Sequence, residues 1–134
     1  MATVVRNEQG CYDLEKSKVS ALNNKNTKLI IDFDAKYYMT TPERELSLLR
    51  KIKYLQILRK CNEYLKGKAL DNLTDKDVET IFVSIKGRNG KPKAWTYKTY
   101  INVLRVWFKW NKQDKLIDSK HMQNVKLRRD DDID

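Results

Sequence analysis

Apolar residues in this chain recur every three to four positions and nowhere alternate for long, and that spacing restricts it to packed helices. The clearest case is Tyr97, Ile101, Leu104 and Phe108, at i, i+4, i+7 and i+11. Only four Gly and two Pro interrupt the pattern, so strands are hard to place and the predicted class is all-α. At 134 residues the chain suits one domain with a real core, which needs neither disulfides nor a metal to fold.

Residues 1–20 are polar and show no sustained period, which predicts a flexible or loosely docked N-terminal segment. A first helix is expected to open near Asn24 to Thr27, where short polar side chains can cap free N–H groups, and Leu29, Ile30, Phe33 and Tyr37 then line one side. It should end around Tyr38 to Thr41. Thr41-Pro42-Glu43 then opens a long second helix running to about Leu65, whose buried stripe is Leu48, Ile52, Leu55, Leu58 and Leu65. Arg50, Lys53, Ile57 and Lys60 are expected on the side away from that stripe, and Gly67 ends the helix.

Thr74-Asp75-Lys76-Asp77 has the form of a capping box, and Val78, Ile81, Phe82 and Ile85 give the third helix its apolar side as far as Gly87. The run from Gly87 to Trp95 collects Gly90, Pro92, Arg88, Lys91 and Lys93 and predicts an exposed basic loop. Thr96 is expected to cap a fourth helix, Tyr97 to about Lys112. Beside its apolar ridge, Lys98, Asn102, Arg105, Lys109 and Lys112 repeat the same spacing one position later. Val103, Trp107 and Trp110 widen the apolar side and either finish the core or meet a partner. Beyond Lys112 a short helix and then a linker are expected. The predicted division is therefore 1–20, 21–113 and 114–134.

Twenty-eight Lys and Arg against eighteen Asp and Glu leave a net charge of +10, which calls for an anionic partner, with nucleic acid first. Cys11 and Cys61 stand far apart, form no C-x-x-C pair, and argue against a disulfide framework or a cysteine zinc site. A reducing cytoplasm is the expected compartment. Arg6, Asn7, Glu8 and Gln9 occupy the place where a signal peptide needs an apolar stretch, and Leu29-Ile30-Ile31 is too short to cross a bilayer.

Catalytic constellations are missing from the sequence. His121 is the one histidine, expected at the surface, and no second ligand stands at metal-binding spacing from it. No Gly-rich phosphate loop occurs, and Asp75 with Asp77, or Asp130 to Asp132, suit capping and a solvated tail better than acid–base work. The expectation is a chain with no catalytic residues, no metal and no cofactor.

From Leu22 to Lys112 the order of elements resembles the N-terminal core-binding domain of tyrosine recombinases, especially archaeal and phage-type integrases. The residues that carry this are Tyr54-Leu55 to Tyr64-Leu65, then Leu73-Thr74-Asp75-Lys76-Asp77-Val78. Thr96-Tyr97-Lys98-Thr99-Tyr100 follows, leading into Leu104-Arg105-Val106-Trp107-Phe108-Lys109-Trp110. The resemblance implies a four- to five-helix bundle of the SAM-like type, whose second and fourth helices approach DNA in the major groove. It also implies that strand cleavage belongs to a separate C-terminal domain with an arginine, lysine, histidine and tyrosine set. That set is not found here: three residues after His121 stands Asn124, and the last tyrosine is Tyr100. The chain stops where the interdomain linker is expected, as an excised or truncated piece would.

The reading that follows is a monomeric module that clamps duplex DNA at a recombination half-site for a catalytic domain elsewhere in the parent protein. Its expected DNA contacts are Lys91, Lys93, Thr96, Lys98, Asn102, Arg105, Lys109 and Lys112, with Arg50, Lys53 and Lys60 behind them. Phosphates could also be held at the N-terminus of the fourth helix. Two rivals stand beside it. One is a protein-interaction module with Trp107, Trp110 and Tyr54 as an exposed apolar patch. The other is a small helical transcription regulator, which should dimerise on a palindrome.

Overall fold

The computed structural model describes residues 8–22, 24–37, 48–86 and 94–122, and every regular element among them is helical. Five α-helices, α1 (Glu8–Ser20), α2 (Lys25–Lys36), α3 (Leu48–Tyr64), α4 (Asp75–Lys86) and α5 (Ala94–Trp110), precede two short 3-10 helices, Asp114–Asp118 and Lys120–Met122. The expected proline start at Thr41-Pro42-Glu43, residues 87–93 of the expected basic loop and the stretch beyond Met122 lie outside the described residues, whereas Ala94 and Trp95, expected at the end of that loop, are already helical in α5. The chain divides into two compact units, Met1–Asn62 and Glu63–Asp134. None of the helices described is long and apolar enough to cross a membrane.

In the first unit α1 packs on α2. A helix thus stands where residues 1–20 offered no apolar period, because α1 is anchored by polar side chains. Glu15, 5% exposed, receives the Arg59 guanidinium at 3.3 Å and the Lys18 ammonium at 3.4 Å. Tyr12 donates its hydroxyl to the buried carboxylate of Asp34. Such pairs give no hydrophobic period to read.

α2 starts where expected. Asn24 has extended backbone angles and its side-chain oxygen accepts the Asn26 N–H at 2.9 Å. Asn62 Oδ1 then receives the amides of Asn26 at 2.7 Å and Asn24 at 3.1 Å, so one buried acceptor on α3 holds the start of α2. Ile30, Phe33, Ile52, Leu55 and Leu58 are buried, and Phe33, Tyr37 and Tyr54 pack together with ring centroids 5.0 to 6.4 Å apart.

One expectation for α3 is corrected: Ile57 is only 4% exposed and belongs to the core, not to the side shared by Arg50, Lys53 and Lys60. Ile52, Leu55, Ile57, Leu58, Cys61 and Asn62 are all buried, so the buried arc covers more than half of the helix circumference at about 100° per residue. A stripe drawn at one residue per turn misses its far edge. Complete burial pushes the Cys61 thiol up to about 12, which keeps it protonated and unreactive at neutral pH.

The second unit begins as α3 ends, with Lys66 and Gly67 both at positive φ, 54° and 82°. Gly67 accepts that geometry without a side-chain clash. At the start of α4 the capping box forms as expected: Asp77 Oδ2 accepts the Thr74 N–H at 2.8 Å, and Thr74 Oγ1 accepts the Asp77 N–H at 3.3 Å. Partial burial raises the Asp77 pKa, but the Lys68 ammonium and the Thr74 hydrogen bonds outweigh it and hold the carboxyl below its ordinary value. Val78, Ile81, Phe82 and Ile85 are buried, as their spacing requires.

After α5 the chain closes on its own unit. The Lys112 N–H bonds to Lys109 O at 3.2 Å and the Gln113 N–H to Phe108 O at 2.7 Å, with Lys112 at φ 58°. This is a Schellman turn with lysine where glycine is preferred. Asp114–Asp118 packs on α5 and Lys120–Met122 on α4, burying Leu116 and Met122. His121, expected at the surface, is instead largely covered: its side chain is 16% exposed and its Nε2 lies 3.7 Å from Asp75 and 4.0 Å from Glu79 on α4.

Candidate nucleic-acid interface

α5 separates its residues by face with little overlap. Tyr100, Ile101, Val103, Leu104, Trp107 and Phe108 are buried, whereas Lys98, Asn102, Arg105 and Lys109 are exposed. Helical geometry forces this: the four exposed positions fall within an arc of about 60°, because steps of four, three and four residues nearly complete whole turns at 3.6 residues per turn. The apolar side is fixed by its contacts. Trp107 is 1% exposed and its indole Nε1–H donates to Leu70 O at 2.9 Å, while Tyr97 packs its ring 6.3 Å from that of Phe82.

Each expected contact residue has a definite place. Lys98, Asn102, Arg105 and Lys109 form a single row along α5. Lys112 is also exposed, but it sits in the left-handed turn beyond the last helical residue. None of these five side chains takes part in an ion pair or hydrogen bond among the described residues. Thr96 is corrected in role: α5 already runs from Ala94, so Thr96 is its third residue and half-buried, not its cap. Lys91 and Lys93 lie outside the described residues.

The α3 cations belong to the first unit. Arg50 and Lys53 are exposed and Lys60 is partly so. Arg50 and Lys60 also have interactions within the chain, which leaves Lys53 the least engaged of the three. Arg50 carries its charge near Tyr54, whose phenol is pushed above its ordinary value by burial first and Tyr37 second, with Arg50 pulling the other way.

One signal in the sequence went beyond the ridge itself. Residues 80–113 contain eight Lys and Arg and no acid, whereas the other hundred residues carry twenty cations against eighteen acids. Nearly the whole charge excess therefore lies in the stretch that contains α5. The apolar rival fares differently. Trp107 is buried, Trp110 is partly covered, and Tyr54 lies in the Phe33 and Tyr37 cluster, so these three do not form an exposed patch. Among the described residues no group of three or more His, Cys, Asp or Glu could hold a metal ion. Compared with protein-family models, curated proteins and solved structures, the chain matches none.

Proposed function

We propose that this chain is a duplex-DNA-binding module that, as its resemblance to recombinase core-binding domains implies, clamps one side of a recombination half-site for a catalytic domain of the parent protein. The observation that carries the reading is the exposed row of Lys98, Asn102, Arg105 and Lys109, with no partner for these side chains among the described residues and no acid in residues 80–113. A cation left without an internal partner gives up little on meeting a phosphate, and each one placed there releases a counterion. Exposed acids beside the row would repel the same phosphates. A stretch without any is suited to a polyanion.

The test is a titration of a labelled duplex with the 134-residue chain at two salt concentrations. Lys98, Lys109 and Lys112 supply about three phosphate contacts, so log affinity should fall against log salt with a slope of about −2.7. Affinity should then drop about forty-fold between 50 and 200 mM salt. Binding that is indifferent to salt, or equal capture of polyglutamate and duplex, overturns the reading.

A further inference from the structure

Within the α5 row, charge and hydrogen-bonding capacity are not evenly distributed. Lysines stand at both ends, Lys98 and Lys109, and between them stand Asn102 and Arg105, two side chains with planar, directional donors. Asn102 is exposed, uncharged and without a hydrogen-bond partner among the described residues. An amide adds little to phosphate attraction, which charge dominates, so its place in the row calls for a different role.

Distances along the helix supply one. Eleven residues separate Lys98 from Lys109, a rise of about 16 Å, while Asn102 and Arg105 are about 4.5 Å apart along the axis. The major groove of B-form DNA is about 12 Å wide. A helix about 10–12 Å in diameter fits lengthwise in that groove, where its middle, Asn102 and Arg105, meets the floor, while the groove curves away from a straight helix and brings the phosphate walls to Lys98 and Lys109. Neighbouring base pairs are about 3.4 Å apart along the duplex, close to the spacing of the central pair.

We infer that α5 is a sequence reader, in which Asn102 and Arg105 recognise an adenine and a guanine on adjacent base pairs while Lys98 and Lys109 hold the flanking phosphates. Asn pairs bidentately with the adenine edge and Arg with the guanine edge in the major groove. The occupant is duplex DNA and not helical RNA, because the deep, narrow major groove of A-form RNA does not admit a helix carrying such a row. This inference rests on the reading of α5 as the duplex-facing helix.

The experiment is selection of the 134-residue chain against duplexes with a randomised segment, followed by sequencing and by titration of the winning duplex and an unrelated one. Enrichment of neighbouring adenine and guanine is expected. Arg105→Lys should lose about ten-fold on the winning duplex and keep both its affinity for the unrelated one and its salt slope. Asn102→Ala should abolish the preference for adenine alone. Lys109→Ala should weaken both duplexes alike. All three positions are exposed, and circular dichroism at the assay temperature checks that each variant is folded. Duplex binding without any sequence preference, or an Arg105→Lys protein that still selects guanine, overturns the inference and leaves the general DNA-binding reading standing. Failure to bind any duplex, or tighter binding to an RNA hairpin, overturns both.

Discussion

Trp107→Phe separates a core tryptophan from one offered to a partner. In the structure the indole is 1% exposed and its N–H donates to Leu70 O at 2.9 Å. Phenylalanine removes that donor from a buried carbonyl, at a cost of about 1–2 kcal/mol. It also leaves part of the indole volume unfilled, which adds about 1–2 kcal/mol through lost contacts and a cavity. The sum, about 2–4 kcal/mol, is a large share of the roughly 5–15 kcal/mol by which a domain is folded. In urea the unfolding midpoint should move down by about 1–2 M, followed by far-ultraviolet circular dichroism. Trp95 and Trp110 remain as fluorescent reporters of the same transition. A loss below about 0.5 kcal/mol, the range of ordinary surface substitutions, would place Trp107 at the surface and refute the packing of α5 described above.

Asp77 has its pKa lowered in the folded chain, so its contribution to stability is present above the unfolded value of about 3.9 and disappears as pH falls through the folded value. Asp77→Asn should cost about 1 kcal/mol at neutral pH and flatten the loss of stability below pH 4, measured by urea unfolding across that range. Lys112→Gly should raise stability by about 1 kcal/mol, because Lys112 sits at φ 58°, while lowering the salt slope of DNA binding by about one unit. Leu104→Ala should cost about 2–5 kcal/mol, whereas Arg105→Ala, one residue away on the exposed face, should stay within about 0.5 kcal/mol. The reverse order in a thermal or urea melt would turn α5 around.

How much of this was legible in the sequence depended on how each element is held. α4 and α5 read clearly, since an apolar ridge one side wide leaves a 3.6-residue period and a Thr74–Asp77 box marks a start. The start of α2 was visible in Asn24 for the same reason. α1 was invisible as a helix, because its anchors are Glu15 to Arg59 and Tyr12 to Asp34, long-range polar pairs that no local pattern announces. α3 was placed, but its breadth of burial was not: a helix covered over more than half its circumference has no single stripe, so Ile57 was assigned to the wrong side. Thr96 is not the cap because Ala94 and Trp95 already have helical geometry, so the helix begins two residues earlier than its threonine suggests.

The site follows from the same reasoning carried one step further. On α5 the core uses Tyr100, Ile101, Val103, Leu104, Trp107 and Phe108, so the residues left outside are what remains for a partner. Among the described residues the large apolar side chains that are exposed, Leu14, Leu49 and Val83, sit one each on α1, α3 and α4, and none is on α5. The residues of α5 described as exposed, Lys98, Asn102, Arg105 and Lys109, are cationic or polar, which supports the proposed anionic partner over an apolar one. Charge in excess would serve solubility equally well if it were spread evenly over the surface. Eight cations and no acid within residues 80–113, against near balance elsewhere, is not an even spread, and an asymmetry of that size along the chain supports the proposed polyanionic partner over a role in solubility alone.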